Sequence, residues 1–189
     1  PGEDEYYGKG VSVCATCDAP FFKNSTVAAV GGGNTAVQES LFLTRFVDKV
    51  YLIHRRDQLR ADKLLQERAF ENDKIDVIWD SVLKSINGSQ AGVSGISVEN
   101  VKTGETSELS VDGCFVWVGT NPNTGFLKDH LKLDDRGFVS VNSRMEASVS
   151  GVFAAGDVRD TPLRQVSTAV GDGAIAASEA AEFIQNHGH

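Results

Sequence analysis

The stretch Val27-Ala28-Ala29-Val30-Gly31-Gly32-Gly33-Asn34-Thr35-Ala36 decides how this chain is read. Four apolar residues in a row mark a short strand buried on both faces. Glycines then interrupt it, and residues from Thr35 to Phe46 space their apolar side chains as an amphipathic helix. Within the turn, Gly31-x-Gly33-x-x-Ala36 is the GxGxxA form of the dinucleotide fingerprint. Its first glycine permits the tight turn, its second lets a pyrophosphate approach the backbone, and its small third residue lets helix pack on strand. The pyrophosphate would rest on the helix N-terminus, where backbone amides lack intrahelical partners.

Moving outward toward the C-terminus, Val50 to His54 supplies the next strand and completes one βαβ mononucleotide-binding unit. At the end of that strand an NAD-binding unit places Asp or Glu to accept hydrogen bonds from the ribose 2′-OH. Here, eighteen residues past Ala36, stand His54-Arg55-Arg56, with Arg60 one turn on. Guanidinium groups offer paired donors to phosphate oxygens, so this replacement suits the 2′-phosphate of NADP(H). The plainer alternative is a solvated basic helix start. Arg60 to Glu71 reads as a second helix, and residues 75 to 118 alternate in short β-prone runs broken at Asn87-Gly88, Gly92, Gly95 and Lys102-Thr103-Gly104, which predicts an antiparallel meander. Beyond Gly119-Thr120-Asn121-Pro122-Asn123 the character shifts to a loop-rich stretch, a small-residue strand from Gly151 to Ala155, and an Ala-rich helix from about Arg164 to Gln185.

Toward the N-terminus, an exposed lead-in of about eight residues is followed by Cys14-Ala15-Thr16-Cys17-Asp18, with the dithiol opening a helix. Such a pair has a lowered thiolate pKa and the proximity a disulfide needs, which favours redox chemistry. Structural zinc would need two further ligands, and Cys114, His54, His130, His187 and His189 form no second CxxC or HxxxH pair. Inert thiols are the remaining alternative. Asp18 would disfavour a thiolate at Cys17 by like-charge repulsion and therefore suits a proton donor and acceptor, against the plainer role of a carboxylate in a helix's first turn. Cys114, within Cys114-Phe115-Val116-Trp117-Val118, is expected to be a buried core thiol.

Composition bounds the function. A chain of 189 residues, 41% hydrophobic and 23% charged, is long enough to bury a real core. A net charge of -8 and a pI near 5.0 argue against nucleic acid or an anionic membrane as partner. No apolar run approaches the roughly 18 to 20 residues of a membrane span, and the acidic start Pro1-Gly2-Glu3-Asp4-Glu5 is unlike a signal peptide. A cytoplasmic location is the default expectation. Three cysteines are too few for a secreted disulfide scaffold. Met145 is the sole methionine, so Pro1 is expected to follow either methionine removal or a cut in a longer protein.

Together these residues resemble the low-molecular-weight thioredoxin reductases, a flavoprotein family. The resemblance rests on five matches in order: Cys-Ala-Thr-Cys-Asp at 14–18, Gly-Gly-Gly-Asn-Thr-Ala at 31–36, His-Arg-Arg-Asp-x-x-Arg at 54–60, Gly-Thr-x-Pro-Asn-Thr at 119–124 and Gly-Val-Phe-Ala-Ala-Gly-Asp at 151–157. It implies an α/β fold in which a Rossmann-like NADPH domain with a β-meander and the CxxC, here residues 9–118, is inserted into a split FAD-binding domain. Residues 119–189 would be the C-terminal segment of that FAD domain. It further implies that Cys17 is the thiol beside the flavin, that Cys14 attacks the thioredoxin disulfide, and that Asp18 manages protons. Gly31, Gly33, Asn34, Thr35, His54, Arg55, Arg56 and Arg60 would hold NADP(H). Asp157 would hydrogen-bond the flavin's ribityl chain, Gly156 would belong to the same cofactor site, and Arg164, Gln165 and Val166 would face the flavin ring. Read without the resemblance, Gly156-Asp157 is a strand-end turn.

The implied reaction is NADPH-dependent reduction of thioredoxin, or of a similar disulfide protein, through FAD and the dithiol, in an intact protein expected to be a homodimer and to swing between domains. No metal is expected. The family's N-terminal half of the FAD domain, with its own fingerprint, has no counterpart in residues 1 to 30. The alternatives are therefore an NADP-binding module that is redox-inactive, or a related reductase serving another acceptor, such as a peroxiredoxin-linked or ferredoxin-linked one.

Overall fold

The first strands form because the chain alternates its apolar residues between two different covers. In the computed structural model, which describes residues 1–187, a one-turn helix α1 (Glu3–Tyr6) leads to β1 (Val11–Ser12), the short helix α2 (Ala15–Asp18), β2 (Thr26–Gly31), α3 (Asn34–Leu43), β3 (Lys49–Ile53), α4 (Lys63–Phe70) and β4 (Ile75–Ile78). Then come β5 (Ser81–Ser89), β6 (Gly92–Asn100), β7 (Thr106–Leu109) and β8 (Gly113–Trp117). Strands β1, β8, β2, β3 and β4 lie in that order in one parallel sheet, and β5, β6 and β7 form a separate antiparallel sheet.

Strand residues alternate faces, and the core records it. Val27 and Ala29 of β2, Val50 and Leu52 of β3 and Phe115 of β8 join a cluster under the helices with Ala36, Val37 and Leu43. Their neighbours Ala28, Val30, Ile53 and Cys114 face the other way, onto Ile86, Ile96 and Val98 of the antiparallel sheet. The parallel sheet is thus the middle of three layers. Phe115 is fully buried, and burial of a side chain of that size contributes about 1.5–3 kcal/mol.

Three expectations for the first 118 residues are corrected. The meander occupies only residues 81–109, since Ile75–Ile78 pairs in parallel with β3 and Gly113–Trp117 in parallel with β2. Parallel strands of one sheet need long connections, and here the antiparallel sheet lies in the connection from β4, at one edge, to β8, which inserts between β1 and β2. Helix α4 starts at Lys63, not Arg60, because residues 59–62 are drawn onto the glycine turn. Helix α3 ends at Leu43, short of Phe46. The Lys74 ammonium takes the carbonyls of Thr44 and Val47, at 3.1 and 2.8 Å, so those groups do not continue the helix.

The chain divides into two units, Pro1–Val118 and a second from Gly119 onward. In the second, short turns lead to helix α5 (Val166–His187), which starts two residues later than the sequence suggests. The expected strand from Gly151 to Ala155 is absent. Gly151 turns with φ +79°, Val152 N–H closes onto Val149 C=O, and only Phe153 makes a lone bridge, to Glu146. No helix among the described residues is long and apolar enough to cross a membrane.

Candidate functional site

The glycine turn sits at the carboxyl end of β2, where the order of the sheet reverses between β8 and β3, the place where open α/β sheets receive ligands. Gly31 has φ +152°, and a Cβ there would come within 2.6 Å of both the Ala36 Cβ and the Trp117 carbonyl oxygen. Gly32 is equally constrained, since a Cβ would fall inside the His54 imidazole. Gly33 differs: nothing lies within 4 Å of where its Cβ would be. That open space leaves room for a pyrophosphate against the backbone, directly before α3. Gly32 carried no role in the sequence reading. Its signal was the middle glycine of the run, whose need is set by His54, twenty-two residues away.

The basic loop is pinned over this turn. Arg60 N–H donates to Gly32 C=O at 2.6 Å. Asn34 and Asp62 exchange two hydrogen bonds of 2.8 Å: the Asn34 amide donates to Asp62 Oδ2, and Asp62 N–H donates to Asn34 Oδ1. On the loop's other side, Lys102 bridges Asp80 at 2.9 Å and Asp57 at 3.6 Å. Arg55, Arg56 and Arg60 are left exposed. A cleft of about 350 Å³ opens beside them, lined by the ends of β2, β3 and β8, including Gly31, Gly32, His54, Arg55, Arg60 and Trp117. Gly33, Asn34, Thr35 and Arg56 stand outside that lining.

His54 is placed differently from its arginine neighbours. It is 4% exposed, with Nε2 2.9 Å from the Gln58 carbonyl oxygen. Burial, reinforced by the charges of Arg60 and Arg56, holds its pKa below the usual histidine value, against the opposing pull of backbone hydrogen bonds. His54 therefore props the loop as a neutral ring, and the arginines present the charge.

The dithiol emerges from β1. Cys14, at the residue before α2, and Cys17, within it, are joined as a disulfide with Cα atoms 5.3 Å apart, so neither is available as a zinc thiolate. Cys14 is half-buried and Cys17 exposed. Ser12 ties Asp18 to the pair: its hydroxyl donates to Asp18 Oδ2 at 2.6 Å and accepts the Cys14 N–H at 3.1 Å. Sequence reasoning did not single out Ser12, a buried hydroxyl at a strand end two residues before the dithiol. Cys114 is the free cysteine, fully buried, and burial pushes its thiol up to about 12. Among the described residues no cluster of His, Cys, Asp and Glu side chains could hold a metal ion. His189 lies outside the described residues.

In the second unit, Gly156 (φ +75°) opens a 3-10 turn, Gly156–Val158, packed against Ala169 of α5. Asp172 of α5 receives Gly156 N–H at 3.1 Å and a two-pronged contact from Arg159, at 2.5 and 2.7 Å. The Arg159 guanidinium holds the Asp172 carboxyl below the usual range. Neither residue stood out in the sequence, because an ion pair thirteen residues apart has no local signature. Asp157 is exposed. Arg164 lies 4.0 Å over the Phe138 ring and donates from Nε to the Asp157 carbonyl at 3.4 Å. Its Nη2 is buried without a partner among the described residues. Gln165 N–H donates to Thr168 Oγ1, and Val166, 81% exposed, opens α5. The turn and the helix start are thus adjacent.

With that geometry in place, similarity to known proteins is informative. Residues 1–173 match the pyridine nucleotide-disulphide oxidoreductase family. The chain is 50% identical over 184 residues to thioredoxin reductase of Treponema pallidum, covering 97% of this chain and 59% of that protein. It is 44% identical over 185 residues to thioredoxin reductase of Bacillus subtilis, covering 98% and 58%. The crystal structure of thioredoxin reductase from Streptococcus pyogenes superimposes with a TM-score of 0.90 at 50% identity, covering 98% of this chain and 61% of that one. The chain thus spans about three fifths of the length of these relatives. A match running from the first residue into the opening turns of helix α5 leaves one assignment: the chain belongs to the pyridine nucleotide-disulphide oxidoreductases.

Proposed function

We propose that this protein is an NADPH-dependent reductase of thioredoxin or of a similar disulfide protein. The observation that carries the reading is that an arginine-rimmed dinucleotide turn and a disulfide leave the carboxyl ends of strands in one parallel sheet. Gly31 and Gly33 admit the pyrophosphate, the amides at Asn34 and Thr35 receive it, and Arg55, Arg56 and Arg60 receive the 2′-phosphate, with His54 and Asp62 holding the loop. In the second unit, Gly156, Asp157, Arg164, Gln165 and Val166 fit a flavin, and the orphaned Arg164 Nη2 is the group that most needs such a partner. When bound, NADPH supplies a hydride and FAD the two-electron relay from it to sulfur.

The chain's own chemistry follows. Two electrons break the Cys14–Cys17 bond, and two protons complete the thiols. Asp18, oriented by Ser12, gives and takes the proton at the dithiol. The Cys14 thiolate attacks one sulfur of the partner's disulfide and the other leaves as thiol. Cys17 then attacks Cys14, which restores the intramolecular bond and releases the reduced partner.

The test is to supply the protein with FAD and either NADPH or NADH and count thiols by alkylation. NADPH should bind more tightly than NADH by about tenfold or more for each charge-assisted contact to the 2′-phosphate, and should convert the disulfide to two thiols. Equal affinities would remove the NADP assignment. NADPH binding without thiol formation would leave a nucleotide-binding module in place of a reductase.

A further inference from the structure

The dithiol segment and the glycine turn are not neighbours in the sheet. β1 pairs only with β8, and β8 lies between β1 and β2. Two inter-strand spacings separate β1 from β2, about 10 Å. The last residue of the intervening strand is Trp117. Its indole N–H donates to the carbonyl of Val13, the residue before Cys14, at 3.0 Å. Its ring stacks on Phe115, with centroids 5.5 Å apart, and lines the dinucleotide cleft. Its own carbonyl lies under Gly31, where a Cβ would approach to 2.6 Å. A single side chain therefore reaches the backbone that leads into the disulfide and the wall of the cofactor cleft.

We infer that Trp117 is a positioning residue for the Cys14–Cys17 disulfide, holding the Val13 carbonyl from the wall of the dinucleotide cleft. Val13 is half exposed and Cys14 half-buried, so the indole hydrogen bond to the Val13 carbonyl acts beside the Ser12 hydroxyl on the Cys14 N–H to fix the course of the segment entering the disulfide. Phenylalanine at this position keeps a ring against Phe115 and the cleft but cannot donate. The segment then opens more readily, and Cys14 Sγ becomes easier to reach. This rests on the reading of the cleft as a dinucleotide site only for what the ring faces. The link to the disulfide does not depend on it.

The experiment compares Trp117→Phe with the unsubstituted protein in two assays. The first is the rate at which a water-soluble phosphine reduces the disulfide, without nucleotide. The expected change is about fivefold faster in Trp117→Phe, the worth of one neutral hydrogen bond; the second assay is NADP⁺ binding by both proteins. Unchanged reduction rates in a folded Trp117→Phe protein would overturn the inference. Failure of both proteins to bind NADP⁺ would count against the proposed function while leaving the phosphine comparison decisive for Trp117. Should Trp117→Phe not fold, a Trp79→Phe protein leaves Trp117 as its sole indole, there being two tryptophans. Its emission should change on reduction of the disulfide, and emission insensitive to reduction would refute the coupling.

Discussion

At the residue scale, two positions show how close contacts set chemistry. Gly32 has no room for a Cβ because the His54 imidazole fills that space. Gly32→Ala should therefore destabilise the first unit by about 1–3 kcal/mol, the usual cost of overpacking, and weaken NADP⁺ binding. Denaturant unfolding followed by nucleotide titration checks both. His54 itself is held neutral, its pKa below the ordinary 6.5. The unfolded chain binds the proton first as pH falls, so stability from this group is fully present above pH 6.5 and is lost progressively as pH drops from there through the folded-state value. Unfolding midpoints measured from pH 8 to 5 should fall over that window, and the fall should shrink in His54→Gln, which cannot titrate.

At the element scale, the basic loop between β3 and α4 owes its shape to partners outside itself. Its arginines are exposed and would repel one another on a free loop. The Asn34–Asp62 exchange and the Arg60-to-Gly32 bond fix them over the turn. Asp62→Ala removes an acceptor without touching an arginine. It should lower the preference for NADPH over NADH by about fivefold, because it loosens the arginines that the proposed function assigns to the 2′-phosphate, while leaving NADH affinity nearly unchanged. Titration of both nucleotides decides it. A parallel fall in both affinities would mean that Asp62 acts on the turn as a whole.

At the scale of the whole molecule, cysteine placement separates the reactive pair from the structural thiol. Cys14 and Cys17 lie near the surface in one short segment, while Cys114 is sealed between the parallel and antiparallel sheets with its thiol pushed up to about 12. Alkylation under denaturing conditions should find one thiol before reduction and three after. In the folded, reduced protein only two should react at neutral pH. A third reactive thiol there would mean that the layer over Cys114 opens.

The amino-acid sequence by itself determined the βαβ unit, the glycine turn, the basic strand end and the dithiol. Each is written in a few consecutive residues, through apolar runs, a glycine run, paired arginines and cysteine spacing. Only the tertiary structure decided which strands neighbour which. Ile75–Ile78 and Gly113–Trp117 read like the meander between them because a short apolar run carries no mark of its partner, and pairings such as Val11 with Cys114 join positions a hundred residues apart. The same limit hid the burial of His54, the Asn34–Asp62 exchange, the Arg159–Asp172 pair and the reach of Trp117 to Val13. Apart from the Arg159–Asp172 pair of the second unit, these are contacts made by the crossover topology, which places the β1 exit beside that of β8 and brings a disulfide and a dinucleotide turn to one edge of the sheet.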